Sequence, residues 1–124
     1  MYDLTENKID KLNKLVDQIE KFDGKWYEIV NPFFASTNEL ADKAMKFLYV
    51  NKLIIGFNWG EWDEGRVFFK NNDPSKYNNI DREFILKLLT AVARNDRFCT
   101  GAWGELFESG GGKILFRKLL ETYK

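Results

Sequence analysis

Apolar residues recur every three or four positions from the fourth residue to the twenty-second, which is the spacing of one face of an α-helix. This face comprises Leu4, Ile9, Leu12, Leu15, Val16, Ile19 and Phe22. Asp3 with Glu6 matches a capping box, and Gly24 stands where a helix C-terminal glycine is expected. The pattern therefore predicts an amphipathic helix over residues 4–22.

The same periodicity predicts five more helices, over residues 36–50, 59–70, 81–95 and 100–108 and after the glycines at 110–112. The expected caps are Ser36, Asn58, Asp81 and Thr100, the first two with a glutamate three residues on that completes a capping box. The buried stripe of the third helix is expected to comprise Trp59, Trp62 and Phe69. The three glycines are expected to join two helices by a tight turn.

Residues 25–35 have a different character, with β-forming residues on either side of an Asn-Pro turn signal. A short hairpin and an extended loop both fit this segment. Residues 53–57 are expected to cross the core as an extended segment, and residues 71–79 to form a loop. The sequence thus predicts a mainly α fold, a compact bundle of about six helices in a single domain over 1–124, with or without one β-hairpin near 25–35.

Composition removes several classes of function. Lys+Arg and Asp+Glu each number 19, so the formal net charge is zero, which argues against gripping nucleic acid or membrane by bulk charge. The chain has no His, the commonest general base near neutral pH, and one Cys. We expect no cofactor and no bound metal. The unpaired Cys and the lack of an apolar leader or membrane-length apolar run favour a soluble cytoplasmic protein.

Three segments carry a family resemblance. Residues 88–101 read Leu-Leu-Thr-Ala-Val-Ala-Arg-Asn-Asp-Arg-Phe-Cys-Thr-Gly, residues 57–62 Phe-Asn-Trp-Gly-Glu-Trp, and residues 107–110 Phe-Glu-Ser-Gly. Together they resemble a bacterial family of small proteins of unknown function, over roughly residues 40–122, although Asn58, Thr100 and Trp103 depart from its pattern. The resemblance implies a helical protein of bacterial or phage origin and no particular reaction.

The best candidate for a polar site is the segment with Arg94, Asp96 and Arg97, at the end of one predicted helix and the start of the next. It has two interpretations. Asp96 can accept hydrogen bonds from the first turn of the following helix and act as a corner clamp, which we favour, or the two arginines can flank an anion. Cys99 is expected to be a small buried hydrophobe.

Aromatic residues are numerous for a small core, and two interpretations stay open: large side chains fill the core of a small domain, or some of them lie at the surface, where Trp, Tyr and Arg are enriched in binding hot spots. The candidates are Trp26, Tyr27, Phe33, Phe34 and Trp62. We therefore predict a non-catalytic module that binds a protein partner, with a phage or mobile-element inhibitor of a host defence complex as one hypothesis. The alternative is a nucleic-acid or nucleotide binder that uses Arg82, Arg94, Arg97 and Arg117. Least favoured is an enzyme with Asp96 or Glu105 as acid or base.

Overall fold

A computed structural model describes residues 2–31, 34–99 and 101–124. Within them lie six α-helices and two short strands, in the order α1 (Glu6–Lys21), β1 (Tyr27–Asn31), β2 (Phe34–Thr37), α2 (Glu39–Val50), α3 (Asp63–Lys70), α4 (Arg82–Asn95), α5 (Ala102–Glu108) and α6 (Gly111–Glu121). Two 3₁₀ turns, Trp59–Glu61 and Pro74–Tyr77, flank α3. The prediction of a mainly α bundle of about six helices is confirmed.

The segment that fitted either a hairpin or a loop forms a two-stranded antiparallel sheet. Tyr27 lies opposite Thr37 and Ile29 opposite Ala35, and the register becomes irregular at Asn31. The backbone N–H of Asn38 donates to the Trp26 carbonyl at 2.7 Å, which extends the pairing by one bond. Because β1 packs against α5, the sheet has the helical support that an isolated two-stranded ribbon needs.

Helix α4 lies at the centre of the core and packs against α5 and α6, while α1 packs chiefly on α6. Its side chains Ile85, Leu86, Leu88 and Leu89 are fully buried. The cap predicted at its start is confirmed, since Asp81 Oδ1 accepts from the Phe84 N–H at 2.8 Å. Local signals alone therefore predicted this helix correctly.

Two of the predicted caps are wrong because distant contacts engage the residues concerned. Helix α1 begins after Thr5, whose hydroxyl accepts from the Lys8 N–H at 3.3 Å, while Asp3 accepts from Arg82 at 3.4 Å. Ser36 belongs to strand β2, so α2 begins later, after Asn38. The predicted end of α1 agrees within one residue, since the last helical residue is Lys21 and Phe22 is the C-cap, but the role predicted for Gly24 is wrong because Gly24 does not adopt the left-handed conformation.

The helix predicted over 59–70 is interrupted at Trp62, which has the extended dihedrals φ −88° and ψ 93°. Its ring lies so close to Gly65 that a Cβ there would be 2.5 Å from a ring carbon. Asn58 does not cap a helix; its amide donates to the Glu61 carboxylate at 3.0 Å. The prediction that Phe69 is buried is wrong, because after the break in the helix the side chain of Phe68 faces the core instead.

Two glycines start the last helices in left-handed conformations, Gly101 with φ 99° before α5 and Gly110 with φ 90° before α6. The predicted tight glycine turn is confirmed at Gly110, whereas the predicted cap Thr100 lies outside the described residues. Over the described ranges, no helix has the length and apolar content required to cross a bilayer.

Candidate functional site

A cleft of about 310 Å³ opens between the first 3₁₀ turn, α3 and α4. We call it the aromatic cleft and define it by Trp59, Trp62, Phe69, Val92 and Asn95. The first two residues come from the turn that replaces a continuous helix, and the last two come from the exposed side of α4. Concave sites of this kind, with mostly apolar walls and a few polar groups, are where ligands and partner side chains bind.

The exposed ring of Phe98 extends the aromatic wall of the cleft beyond Trp59. The two ring centroids are 6.1 Å apart, with an angle of 31° between the planes. Phe98 is 80% exposed, the highest value among the large apolar residues that the structure describes. It stands in the turn that follows α4, where the chain leaves the core.

Trp62 provides a fixed wall because its ring contacts three elements. It packs edge-on against Phe57, with centroids 5.2 Å apart, and against Phe84, at 5.5 Å, and it covers Gly65. At the rim, the Arg66 guanidinium donates to Asp63 at 3.2 Å and to the Gly60 carbonyl. The side chain of Arg66 stays 60% exposed, so its charge is available to a molecule at the cleft.

A second, shallower cleft of about 570 Å³ shares Phe69, Val92 and Asn95 with the first and continues to Tyr27 and α5. There the Tyr27 hydroxyl donates to Glu105 at 3.3 Å. Partial burial, with the nearby Glu105 carboxylate as the second cause, raises the pKa of Tyr27 above its ordinary value. Tyr27 therefore stays a neutral hydrogen-bond donor at neutral pH.

In the polar segment after α4, only Asp96 makes a contact of the kind expected of a corner clamp. Asp96 Oδ1 accepts from the Trp103 N–H at 3.0 Å and so holds the first turn of α5. Arg94 is half-buried and Arg97 exposed. In the portion of the chain that the structure covers, neither guanidinium has a hydrogen-bond or ion-pair partner. The structure thus gives Asp96 a structural contact and leaves both arginines open to an external group.

The predicted binding aromatics fall into three groups. Tyr27 and Trp62 line the two clefts. Trp26 is wrong as an exposed anchor: it is buried between Phe22 and Phe107, with centroids 4.4 and 4.8 Å away. Phe33 and the side chain of Phe34 lie outside the described part of the molecule.

The comparisons with known proteins place the chain in a family. A family model described as a family of unknown function (DUF6508) matches residues 4–124. The chain belongs to this family. The expectation that the chain belongs to a family of unknown function is confirmed, and the match includes the first helix. No curated protein and no solved structure matches the chain.

The expectation for the single cysteine differs from the structure. Cys99 is wrong as a buried residue: it is exposed, because it follows the turn at 96–98 that carries the chain away from the core. Among the described residues, no group of three or more His, Cys, Asp and Glu is arranged to hold a metal ion.

The four arginines proposed for nucleic-acid binding have different surroundings in this DUF6508 protein. The Arg82 Nε donates to Thr122 at 3.0 Å, and its guanidinium lies 3.8 Å from the Tyr123 ring centroid. Arg117 holds both carboxylate oxygens of Glu20, one of them at 2.8 Å. These two arginines join parts of the fold, so Arg94 and Arg97 remain as candidates for an external ligand.

Proposed function

We propose that this chain is a non-catalytic protein-binding module and that its partner inserts an apolar side chain into the aromatic cleft. The supporting observation is Phe98, whose ring is 80% exposed beside Trp59. Burying a Phe side chain contributes about 1.5–3 kcal/mol. The fold leaves most of that contribution unused, so it is available to a partner that covers the ring.

The residue types around the cleft are those that dominate binding energies. Trp, Tyr and Arg are enriched among hot spots, which cluster in well-packed pockets. Here Trp59 and Trp62 form the walls, while Arg66 stands at the rim. The fixed position of Trp62 reduces the conformational entropy that a partner would have to remove on binding.

The charge at the rim indicates the chemistry of the partner segment. Arg66 is paired with Asp63, but exposed pairs contribute only about 0–1 kcal/mol, so the guanidinium can exchange this partner at small cost. Arg97, next to Phe98 in the chain, is exposed as well. The segment that fits this surface carries a large apolar residue with an Asp or Glu nearby.

A pull-down with matched variants tests the proposal. The tagged protein is incubated with lysate, and captured proteins are identified by mass spectrometry and then quantified with purified partner by calorimetry. Phe98→Ser removes the exposed ring, and Val67→Ser is the control, because Val67 is 68% exposed but does not line the cleft. We expect Phe98→Ser to weaken binding at least tenfold and Val67→Ser less than twofold.

The free energy of unfolding of both variants should lie within about 0.5 kcal/mol of the native value, as is usual for substitutions of exposed residues. A partner retained in full by Phe98→Ser and by Trp59→Ala would refute the proposal. The hypothesis that the partner is a host defence complex stays a prediction, which the identity of the captured protein tests.

Nucleotide or nucleic-acid binding is the second candidate, favoured because Arg94 and Arg97 have no hydrogen-bond or ion-pair partner among the described residues. Bases can stack on exposed aromatic rings such as Phe98, so Phe98→Ser does not separate the two functions. The double variant Arg94→Gln/Arg97→Gln does. Loss of oligonucleotide binding in this variant, with no captured protein in the native pull-down, would favour the second candidate.

A further inference from the structure

Helices α1 and α2 form a second groove, of about 420 Å³, outside the aromatic cleft. We call it the lysine groove. Its rims carry five exposed lysines: Lys8, Lys11 and Lys14 from α1, and Lys43 and Lys46 from α2. Of the residues that the structure describes, none that lines this groove is acidic. The whole chain has zero net charge. The groove is therefore a local concentration of positive charge, and the balancing acidic residues lie elsewhere on the molecule.

The five lysines carry charges that the described residues do not pair. Lys43 donates to the neutral amide of Gln18 at 3.2 Å. None of the five lysines forms an ion pair with another residue in the ranges that the structure describes. Five like charges on two neighbouring rims repel one another, and the repulsion persists within a Debye length of about 10 Å at 0.1 M salt. A ligand with negative charge would relieve it.

The floor of the groove is apolar. It is formed by Leu15, which is buried, by Phe47, which is half-buried, and by Val50, which is 65% exposed. An occupant therefore needs apolar side chains for the floor as well as carboxylates for the rims. A phosphate backbone supplies charge but nothing to cover Val50, and a flat layer of lipid headgroups does not reach the recessed Leu15.

The length of the groove indicates the form of the occupant. From Lys8 to Gln18, helix α1 rises by about 15 Å, which equals the length of about ten residues of another helix. A third helix laid between two others presents an apolar stripe to the floor and its flanks to the rims. We infer that the lysine groove is a docking site for an acidic amphipathic helix of a partner protein, with leucine-like residues on one face and Asp or Glu on both flanks.

The test uses the full chain and a fluorescent 15-residue peptide with Leu at helical spacing on one face and Glu on the flanks. Anisotropy is measured in 0.1 M salt. Lys11→Gln/Lys46→Gln removes two charges from the groove, whereas the control Lys70→Gln/Lys124→Gln removes two exposed lysines outside it. We expect the groove variant to weaken binding by about tenfold, as two surface ion pairs would, and the control by less than twofold.

A third variant tests the floor. Val50→Ser changes no charge and, because the side chain is exposed, should keep the fold, which circular dichroism verifies. We expect a several-fold weaker complex with the peptide. A scrambled peptide of the same composition, with no apolar face, should bind at least tenfold more weakly than the designed one.

Other outcomes overturn the proposal. If the peptide does not bind, or binds equally to native, Lys11→Gln/Lys46→Gln and Val50→Ser proteins, the groove is not its site. If a 15-nucleotide single strand or a phosphatidylserine vesicle binds tighter than the peptide and loses affinity in the lysine variant only, the charges serve a nucleic acid or a membrane surface instead.

Discussion

Thr90 is the residue whose replacement most directly tests the description of the core. It is fully buried, and its hydroxyl oxygen accepts from the Ile55 N–H at 3.0 Å. Ile55 lies in the extended segment between α2 and the first 3₁₀ turn, where no helix or sheet provides this N–H with a partner. Thr90→Val replaces the hydroxyl by a methyl group of similar volume, so it removes the acceptor without opening a cavity.

An unsatisfied buried N–H costs about 1–3 kcal/mol. We therefore expect Thr90→Val to lower the free energy of unfolding by about 2 kcal/mol, which moves a urea midpoint by about 1 M for a domain of this size. Thr90→Ser keeps the acceptor and loses one buried methyl group, at about 1 kcal/mol. The order of stability should be native, then Thr90→Ser, then Thr90→Val.

Hydrogen exchange separates the local effect from the global one. The Ile55 amide should exchange faster in Thr90→Val than its loss of global stability explains, and it should not do so in Thr90→Ser. If Thr90→Val is within about 0.5 kcal/mol of native and the Ile55 amide stays protected, the hydroxyl does not anchor this segment and the reasoning is refuted.

Two other predictions concern contacts between elements. The hydrogen bond from Arg117 holds the pKa of Glu20 below its ordinary value of 4.5, so the pair stabilises the fold above that pH and less as the pH falls through the folded-state pKa. Glu20→Gln should lower the free energy of unfolding at pH 7 by up to about 1 kcal/mol. In urea titrations at several pH values, the difference in stability between the native protein and this variant should shrink below pH 4.5. A difference that stays constant with pH would contradict the pairing. Gly104→Ala would place a Cβ 2.5 Å from the Tyr27 Cβ and should destabilise by about 1–3 kcal/mol, although Ala normally stabilises a helix. Among the described residues, nothing beyond the chain neighbours lies within 4 Å of a Cβ added at Gly56, so Gly56→Ala should be nearly neutral when the two variants are compared by thermal unfolding. Equal stability of both variants would contradict close packing of α5 on β1.

The features that the sequence predicted correctly are those that depend on neighbours along the chain. Helix α4 has its cap at Asp81 as expected, and the predicted inward residues Ile85, Leu88 and Leu89 are buried. The clamp by Asp96 also follows from a local motif, since the acceptor and the N–H of Trp103 are seven residues apart. Periodicity and capping rules describe such short-range chemistry well.

The errors arise where a distant segment competes for a residue. Asp3 could cap α1, but it contacts Arg82 instead. Ser36 could cap α2, but pairing of β2 with β1 keeps it extended and delays the helix to Glu39. Trp26 could be exposed, but Phe22 and Phe107 enclose it.

The aromatic cleft could not be derived from the sequence, because its residues come from separate segments. Trp59 and Phe98 meet only once the first 3₁₀ turn has packed against α4. A single large apolar residue within the polar segment Arg-Asn-Asp-Arg-Phe-Cys was the signal for Phe98. In a turn between helices, such a residue is a candidate for an exposed contact rather than for the core.

The packing of α1 chiefly on α6 has a consequence for synthesis on the ribosome. The apolar face of α1, with Leu12, Leu15, Val16 and Ile19, is synthesised well before its main cover, helix α6. At about 5–20 residues per second, the roughly 100 residues between them take about 5–20 s to translate. During that interval the nascent helix lacks its main cover, so we expect chaperones to bind its apolar face until α6 has been made.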